Sequence, residues 1–201
     1  MKKKIPYNFI LVTLFSIGFS GCLTPVKTEY SIKYYINPNI GEMKGEYTGL
    51  ILAIRGLGYT RSITNYVTFL EQGKLYYREG LEWAEHPVEV IERLLIKTIE
   101  KTGRFQDVSN SIEIKNPDLI LTGEIEQFYC VRENNSEKVL VSLNIRIRDR
   151  KTNKIAFSKE FVVERLFDSK NEYINDAINN ALAELSQKIQ EEINKAEFER
   201  I

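Results

Sequence analysis

The chain has 201 residues, of which 43% are hydrophobic and 28% are charged, and its 28 basic residues balance 28 acidic ones. Without residues 1–21, which hold three lysines and no acidic residue, 25 basic residues would stand against 28 acidic ones. This balance argues against nucleic-acid binding and against electrostatic adhesion to an anionic membrane surface. The length is typical of one domain with a substantial core.

The first 22 residues have the pattern of an export signal that ends in a cysteine. Three lysines precede an apolar run at residues 9–19, which is shorter than the roughly 20 residues of a membrane-spanning helix. Ser20-Gly21-Cys22 then resembles the lipobox of bacterial lipoproteins, in which the cysteine thiol is acylated and the signal is cut before it. An ordinary signal peptide, or an uncleaved anchor with an incidental cysteine, is the alternative.

These features predict the domain organisation. We expect a lipoprotein signal peptide at residues 1–21, a lipidated tether at residues 22–29 with palmitate-type acylation on Cys22, and a single α+β periplasmic domain at residues 30–197. Cys130 is the second of two cysteines, so it has no partner in the chain if Cys22 is acylated. Its alternating surroundings favour a small buried hydrophobe over a reactive thiol.

Four extended segments are predicted before the first helix. Residues 30–36 alternate so that one face is apolar. The other three are predicted, in order, at residues 48–57, 62–70 and 74–78, with a turn at residues 71–73 between the last two.

A long helix is predicted to begin at Pro87, because proline suits the first helical position, where no backbone donor is needed. His86 is expected to cap this helix, and Gly103 can end it. Trp83 is the only tryptophan and lies in a predicted loop before the helix. Two roles are open for Trp83: a partner-binding residue, since tryptophan is enriched at binding hot spots, or a core residue packed under the start of the helix.

The following strands show the cleanest alternation. A strand over residues 118–131 changes its apolar parity, so a bulge is expected near Glu126-Gln127. Residues 139–148 alternate as in an antiparallel sheet with one buried face and one wet face. A hairpin loop at residues 149–154 then leads into a returning strand, with Asn153 in a left-handed conformation.

The last element is predicted as a helix that follows a capping box of Ser169 and Glu172. The apolar residues of both helices recur along one stripe, so both helices can lie on the same side of a sheet. The predicted fold is therefore α+β, with two layers, a mainly antiparallel sheet and two long helices on one face.

The order of these motifs resembles the ABC-type transport auxiliary lipoproteins, the family of the paraquat-inducible lipoprotein C. The resemblance covers nearly all of the chain after the leader. The motifs that carry it are the lipobox at Cys22, the strand with Tyr34-Tyr35-Ile36, residues 83–87 before the helix, residues 117–128, the final hairpin and the Ala-rich last helix. The resemblance implies a non-catalytic part of an ABC import or export system that moves lipids or other apolar solutes.

The same resemblance implies partners and a location. The partners would be a mammalian-cell-entry-type protein and ABC transporter subunits, beside the membrane that holds the anchor, and homo-oligomerisation stays open. Leu23 rather than Asp follows Cys22, which in many Gram-negative bacteria directs a lipoprotein to the outer membrane, facing the periplasm. In a Gram-positive source the tether would lie on the cytoplasmic membrane. The alternative function is an envelope assembly lipoprotein of another outer-membrane machine.

No catalytic, metal-binding or cofactor pattern is found. A single histidine cannot build a multi-histidine zinc site, and no Gly-x-Ser-x-Gly sequence is present. Gly56-Leu57-Gly58 lacks the third glycine and the following helix of a dinucleotide-binding loop. Glu124 and Glu126 are better explained as solvated charges than as a catalytic carboxylate pair. We therefore predict no enzyme activity and no metal or cofactor.

Overall fold

In the computed structural model, residues 31–133, 136–168 and 173–198 are described, and they form one mixed sheet with two helices. The strands are β1 (Ile32–Tyr34), β2 (Ile51–Ile54), β3 (Gly58–Tyr59), β4 (Tyr66–Glu71), β5 (Lys74–Trp83), β6 (Asp107–Asn110), β7 (Leu119–Glu133), β8 (Ser136–Asp149) and β9 (Ile155–Phe167). The helices are α1 (Pro87–Glu100) and α2 (Ile174–Lys195).

The sheet is built around β7, which is paired along both edges. On one edge β7 runs antiparallel to β8, and β8 runs antiparallel to β9. On its other edge β2, β3 and β4 join β7 in succession, all in parallel. The remaining strands extend this side, since β6 pairs with β2, β5 with β4, and β1 with β5.

The prediction of a mainly antiparallel sheet needs correction, because the sheet is mixed. The pairs β1–β5, β2–β6, β2–β7, β3–β7 and β4–β7 are parallel, while β4–β5, β7–β8 and β8–β9 are antiparallel. Parallel pairing needs long crossover connections, and here α1 and the intervening strands supply them. Alternation of apolar residues reports which face is buried but not the direction of the neighbouring strand.

The predicted bulge in β7 is confirmed. The register of β7 against β8 shifts between Ile125 and Gln127, and the buried positions change from Leu121 and Ile125 to Phe128 and Cys130. The extra residue keeps apolar side chains on one face of the sheet. Gly123 also lies in this stretch, where an added Cβ would come within 2.6 Å of the Asn144 carbonyl oxygen, so the close approach of β8 requires glycine.

Both helices lie on one face of the sheet, as predicted. α2 packs on β8 and β9, α1 packs next to β6, and the two helices contact each other. α1 begins at Pro87, and Gly103, with φ of 63°, follows its end. α2 begins at Ile174, while the predicted capping box lies outside the described residues. Neither helix of the described residues is long and apolar enough to cross a membrane.

The early strands differ most from their predicted bounds. β1 is three residues long, the segment predicted at residues 48–57 contains only the four residues of β2, and β3 follows just beyond it. β5 continues to Trp83 instead of ending at Arg78, with Gly80 at φ of 80° within it. These strands are short or irregular because each pairs with only part of a neighbouring strand, which local alternation does not reveal.

Candidate functional site

Trp83 is the last residue of β5 rather than a loop residue, and only 6% of it is exposed. Its ring lies against Tyr34 and Phe128, with centroids 6.3 Å and 5.5 Å away. Its amide donates to the Asn65 carbonyl oxygen at 2.8 Å, and the Ala84 amide donates to Tyr34 at 2.9 Å. Trp83 thus joins β1, β5 and β7 in the core, and its partner-binding role stays a prediction.

A groove of about 570 Å³ lies beside Trp83 and in front of the N-terminus of α1. We call it the Trp83 groove. Trp83, Ala84 and Val88 supply its apolar wall, while its polar lining comes from four separate elements and their connections. The polar lining residues are Lys33, Tyr59, Asn65, Glu82, Glu85, His86 and Glu89.

The lining of the Trp83 groove is acidic. Glu82, Glu85 and Glu89 face one lysine, Lys33, and β1 places that lysine next to Glu82 through the parallel register of β5. Glu85 is also paired with Arg93 on α1, with Nη2 and Oε2 2.6 Å apart. An excess of carboxylates at a concave surface attracts cationic groups by long-range electrostatics.

His86 caps α1, as predicted. Its Nδ1 accepts a hydrogen bond from the Val88 amide at 3.3 Å, and its backbone is extended as an N-cap residue requires. The His86 ring also lies 5.6 Å from the half-exposed ring of Tyr59. With Nδ1 occupied by the helix terminus, His86 holds the end of α1 at one wall of the groove.

Of the two cysteines, only Cys130 lies among the described residues. Cys22, the predicted lipidation site, lies outside the described residues. Cys130 is buried on the helix-covered side of β7, as predicted for a small hydrophobe. Burial, and to a lesser extent the Glu137 carboxylate, raises the pKa of the Cys130 thiol to about 12, so the thiol stays protonated and unreactive at neutral pH.

The metal-ligating side chains of the described residues do not form a metal-binding site. Among the described residues, no three His, Cys, Asp or Glu side chains are close enough to hold one metal ion. Glu124 is exposed on β7, and the bulge separates it from the half-buried Glu126. What these residues can provide is a charged surface and a groove.

The sequence alone does not predict most of the groove. Lys33, Tyr59 and Glu89 are distant in the chain and come together only through the β1–β5 and β3–β7 pairings and the start of α1. One local signal was present, since Glu82 and Glu85 flank the lone tryptophan at residues 82–85. A tryptophan next to acidic residues is a pattern that favours recognition of a cationic partner.

The chain matches a known protein family. Residues 64–190 match the family model described as "ABC-type transport auxiliary lipoprotein component". The matched region runs from the start of β4 into α2 and includes Trp83, α1 and the whole of β7. No curated protein matches the chain.

Solved structures share the fold at low sequence identity. A Xanthomonas campestris protein of the family DUF330 is 16% identical with a TM-score of 0.68, and the match covers 80% of this chain and 93% of that one. A protein titled only as uncharacterized is 13% identical with a TM-score of 0.57, covering 77% and 98%. A hypothetical protein of Chlamydia trachomatis is 9% identical with a TM-score of 0.53, covering 76% and 97%.

Proposed function

We propose that this chain, which belongs to the family of ABC-type transport auxiliary lipoprotein components, is a lipid-anchored adaptor without catalytic activity. The family match carries this proposal, because it includes more than half of the chain and its description is that of an auxiliary component. The system it serves moves lipids or other apolar solutes across the cell envelope. Its partners are a mammalian-cell-entry-type protein and ABC transporter subunits.

The anchor is the acylated Cys22. Removal of residues 1–21 leaves a tether at residues 22–29 and the domain at residues 30–197. Two or more acyl chains on one residue hold a protein durably, whereas a single chain is marginal. Leu23 after the cysteine supports the outer membrane, facing the periplasm, as the location.

The Trp83 groove is the surface that we assign to a partner. Trp83 itself is buried, so it acts as the apolar wall of the groove. Glu82, Glu85 and Glu89 then select the partner by charge. A partner segment that carries Lys or Arg is complementary to this lining, and such charges contribute mainly to the association rate and to specificity.

Affinity purification of the detergent-solubilised protein, with its partners identified by mass spectrometry, tests the function. Recovery of a mammalian-cell-entry-type protein or an ABC permease is expected. Recovery of a β-barrel or a secretin without transporter subunits would favour the alternative, an assembly lipoprotein of another outer-membrane machine.

A matched pair of variants on α1 tests the groove. Glu89 lines the groove in the first turn of α1, and Glu100 is exposed at the end of the same helix. Glu89→Lys is expected to reduce the recovery of transporter subunits several-fold, while Glu100→Lys leaves it unchanged, with folding of both checked by circular dichroism. Equal recovery with both variants would remove the groove from the proposal and leave the anchor and the family function.

A further inference from the structure

The sheet face opposite α1 and α2 carries exposed apolar side chains. We call this the open face, and we define the open-face patch as Tyr66, Leu75, Tyr77, Val162 and Leu166. These residues lie on β4, β5 and β9, and each is at least 38% exposed. Single exposed hydrophobes are common on protein surfaces, so what matters is whether these five are neighbours.

Strand register places Leu75 and Leu166 of the patch in one row across the sheet. Leu75 on β5 is opposite Leu70, which is paired with Val131, then with Lys138, and finally with Leu166 on β9. Paired residues on adjacent strands point to the same face, and four strand spacings span about 19 Å. Of the five side chains in this row, Leu75, Leu70, Val131 and Leu166 are apolar, and Lys138 is charged.

In the next row Tyr77 pairs with Thr68, Tyr129 pairs with Leu140, and Leu140 pairs with Glu164, so apolar and aromatic side chains are mixed with polar ones. Tyr77 stacks on Tyr66 with ring centroids 4.9 Å apart. Val131 and Leu140 are buried although they lie outside the core cluster under the helices, so the open face has a small apolar layer of its own. Leu75, Tyr77 and Leu166 therefore border this layer, whereas Val162 is separated from Leu166 by Glu164.

Four polar side chains beside the patch on the open face are paired with each other. Lys138 Nζ donates to Glu164 Oε2 at 2.8 Å, and Gln127 donates to the Tyr129 hydroxyl at 2.9 Å. Burial raises the pKa of Tyr129, so its hydroxyl stays neutral. Leucines and valine beside tyrosine rings that have polar ends are the composition of a membrane–water interface.

The direction of β1 and the length of the tether limit how far the anchor can lie from the patch. β1 runs parallel to β5 with Ile32 opposite Leu81, so the first residue of β1 is on the side of the Leu75 end of β5. The ten residues from Cys22 to Ile32 reach at most about 35 Å. Leu75 lies six residues before Leu81, about 20 Å along the strand. Leu75 therefore lies well within the reach that the length of residues 22–32 allows to Cys22.

From this reach and this surface we propose that the open-face patch rests on the lipid surface that holds Cys22. The inference depends on the proposed lipid anchor and adds an orientation to it. Leu75, Tyr77 and Leu166 contact the interfacial region of the bilayer, and the Trp83 groove lies at the other end of β5. The anchor and the patch are then two attachments to one membrane, which together hold the domain in a single orientation.

Depth-dependent quenching on the full acylated protein tests this orientation. Leu166→Cys and Leu75→Cys are each labelled with an environment-sensitive fluorophore, and the protein is reconstituted in vesicles of phosphatidylethanolamine and phosphatidylglycerol. Ile112→Cys is the matched control, since Ile112 is 90% exposed and follows β6 at the opposite end of β7. Cys130 is buried, and Cys22 carries the acyl chains, so neither thiol takes the label in the native protein.

The labels at positions 75 and 166 are expected to shift to shorter emission wavelength and to be quenched by brominated lipids at least three times as strongly as the label at position 112. Equal quenching at the three positions, in protein that floats with the vesicles, would overturn the membrane contact of the patch but would leave the proposed lipid anchor at Cys22 intact. Protein that does not float would overturn both. Cross-linking of position 166 to a second copy or to another protein, without lipid quenching, would overturn the membrane contact in favour of a protein contact.

Discussion

The two faces of the sheet are made by the same strands but have different neighbours. On β8, Val139, Val141 and Leu143 are almost completely buried under α2, whereas Asn144 and Arg146 on the other face are in contact with water. Alternation alone would make the whole open face polar. Towards the ends of β4 and β9, however, the open face becomes apolar. Coverage by the helices explains the apolar residues of one face, and the lipid surface proposed above would cover those of the other.

The largest expected effect comes from comparing one leucine on each face. Leu121 is fully buried on the helix-covered face of β7, and Leu166 is 70% exposed on the open face. Leu121→Ala should lower the free energy of unfolding by about 3 kcal/mol, because it leaves a cavity. Leu166→Ala should change it by less than about 0.5 kcal/mol. Urea unfolding of both variants measures the difference, and similar losses would show that the open face is part of the core.

A second comparison uses an arginine on each side. Arg104 is buried, lies 5.3 Å over the Phe198 ring, donates to the carbonyl oxygens of Ala196 at 2.8 Å and Glu46 at 3.0 Å, and also donates to that of Ile193. It therefore ties the end of α2 to the segment before β2.

Arg104→Met keeps much of the packing but removes these donors, so it should destabilise the protein by about 2 kcal/mol. Arg146→Met, on the exposed open face, should be within about 0.5 kcal/mol of the parent protein. Thermal or urea unfolding distinguishes the two. An unchanged free energy of unfolding in Arg104→Met would mean that these carbonyl oxygens find other hydrogen-bond donors.

The smallest expected effect is on the pH dependence of stability. Asp149 ends β8 on the helix-covered side, and its Oδ1 accepts hydrogen bonds from the amide and hydroxyl of Thr152 at 2.6 and 2.8 Å. These bonds, first that from the Thr152 amide, hold the pKa of Asp149 below its usual value. The stability they contribute is present above about pH 4, the ordinary aspartate pKa, and is lost as the pH falls through the lower folded pKa.

Asp149→Asn should therefore flatten the acid loss of stability in unfolding curves recorded from about pH 5 to about pH 2. Glu164→Gln, which breaks an exposed pair with Lys138 on the open face, should retain the acid loss of the parent protein. An unchanged acid loss in Asp149→Asn would assign that loss to other carboxylates.

Local features of the sequence predicted local features of the structure. Pro87, His86 and Gly103 mark the ends of α1 where the structure has them, the bulge follows Ile125, and Asn153 is left-handed with φ of 58° in the last hairpin. Each depends on residues a few positions apart, whose backbone preferences and spacing act within one turn or one strand.

The lipobox at Cys22 likewise predicts the anchor from adjacent residues alone. The sequence by itself therefore determined the two helices, the long strands β7, β8 and β9, and which of their faces are apolar. Only the tertiary structure decided that β2, β3 and β4 join β7 in parallel, that Trp83 is buried beside an acidic groove, and that Leu75 and Leu166 belong to one surface. The physical reason is that strand neighbours and strand direction depend on contacts between distant segments, whereas alternation and helical spacing record only the burial of each segment.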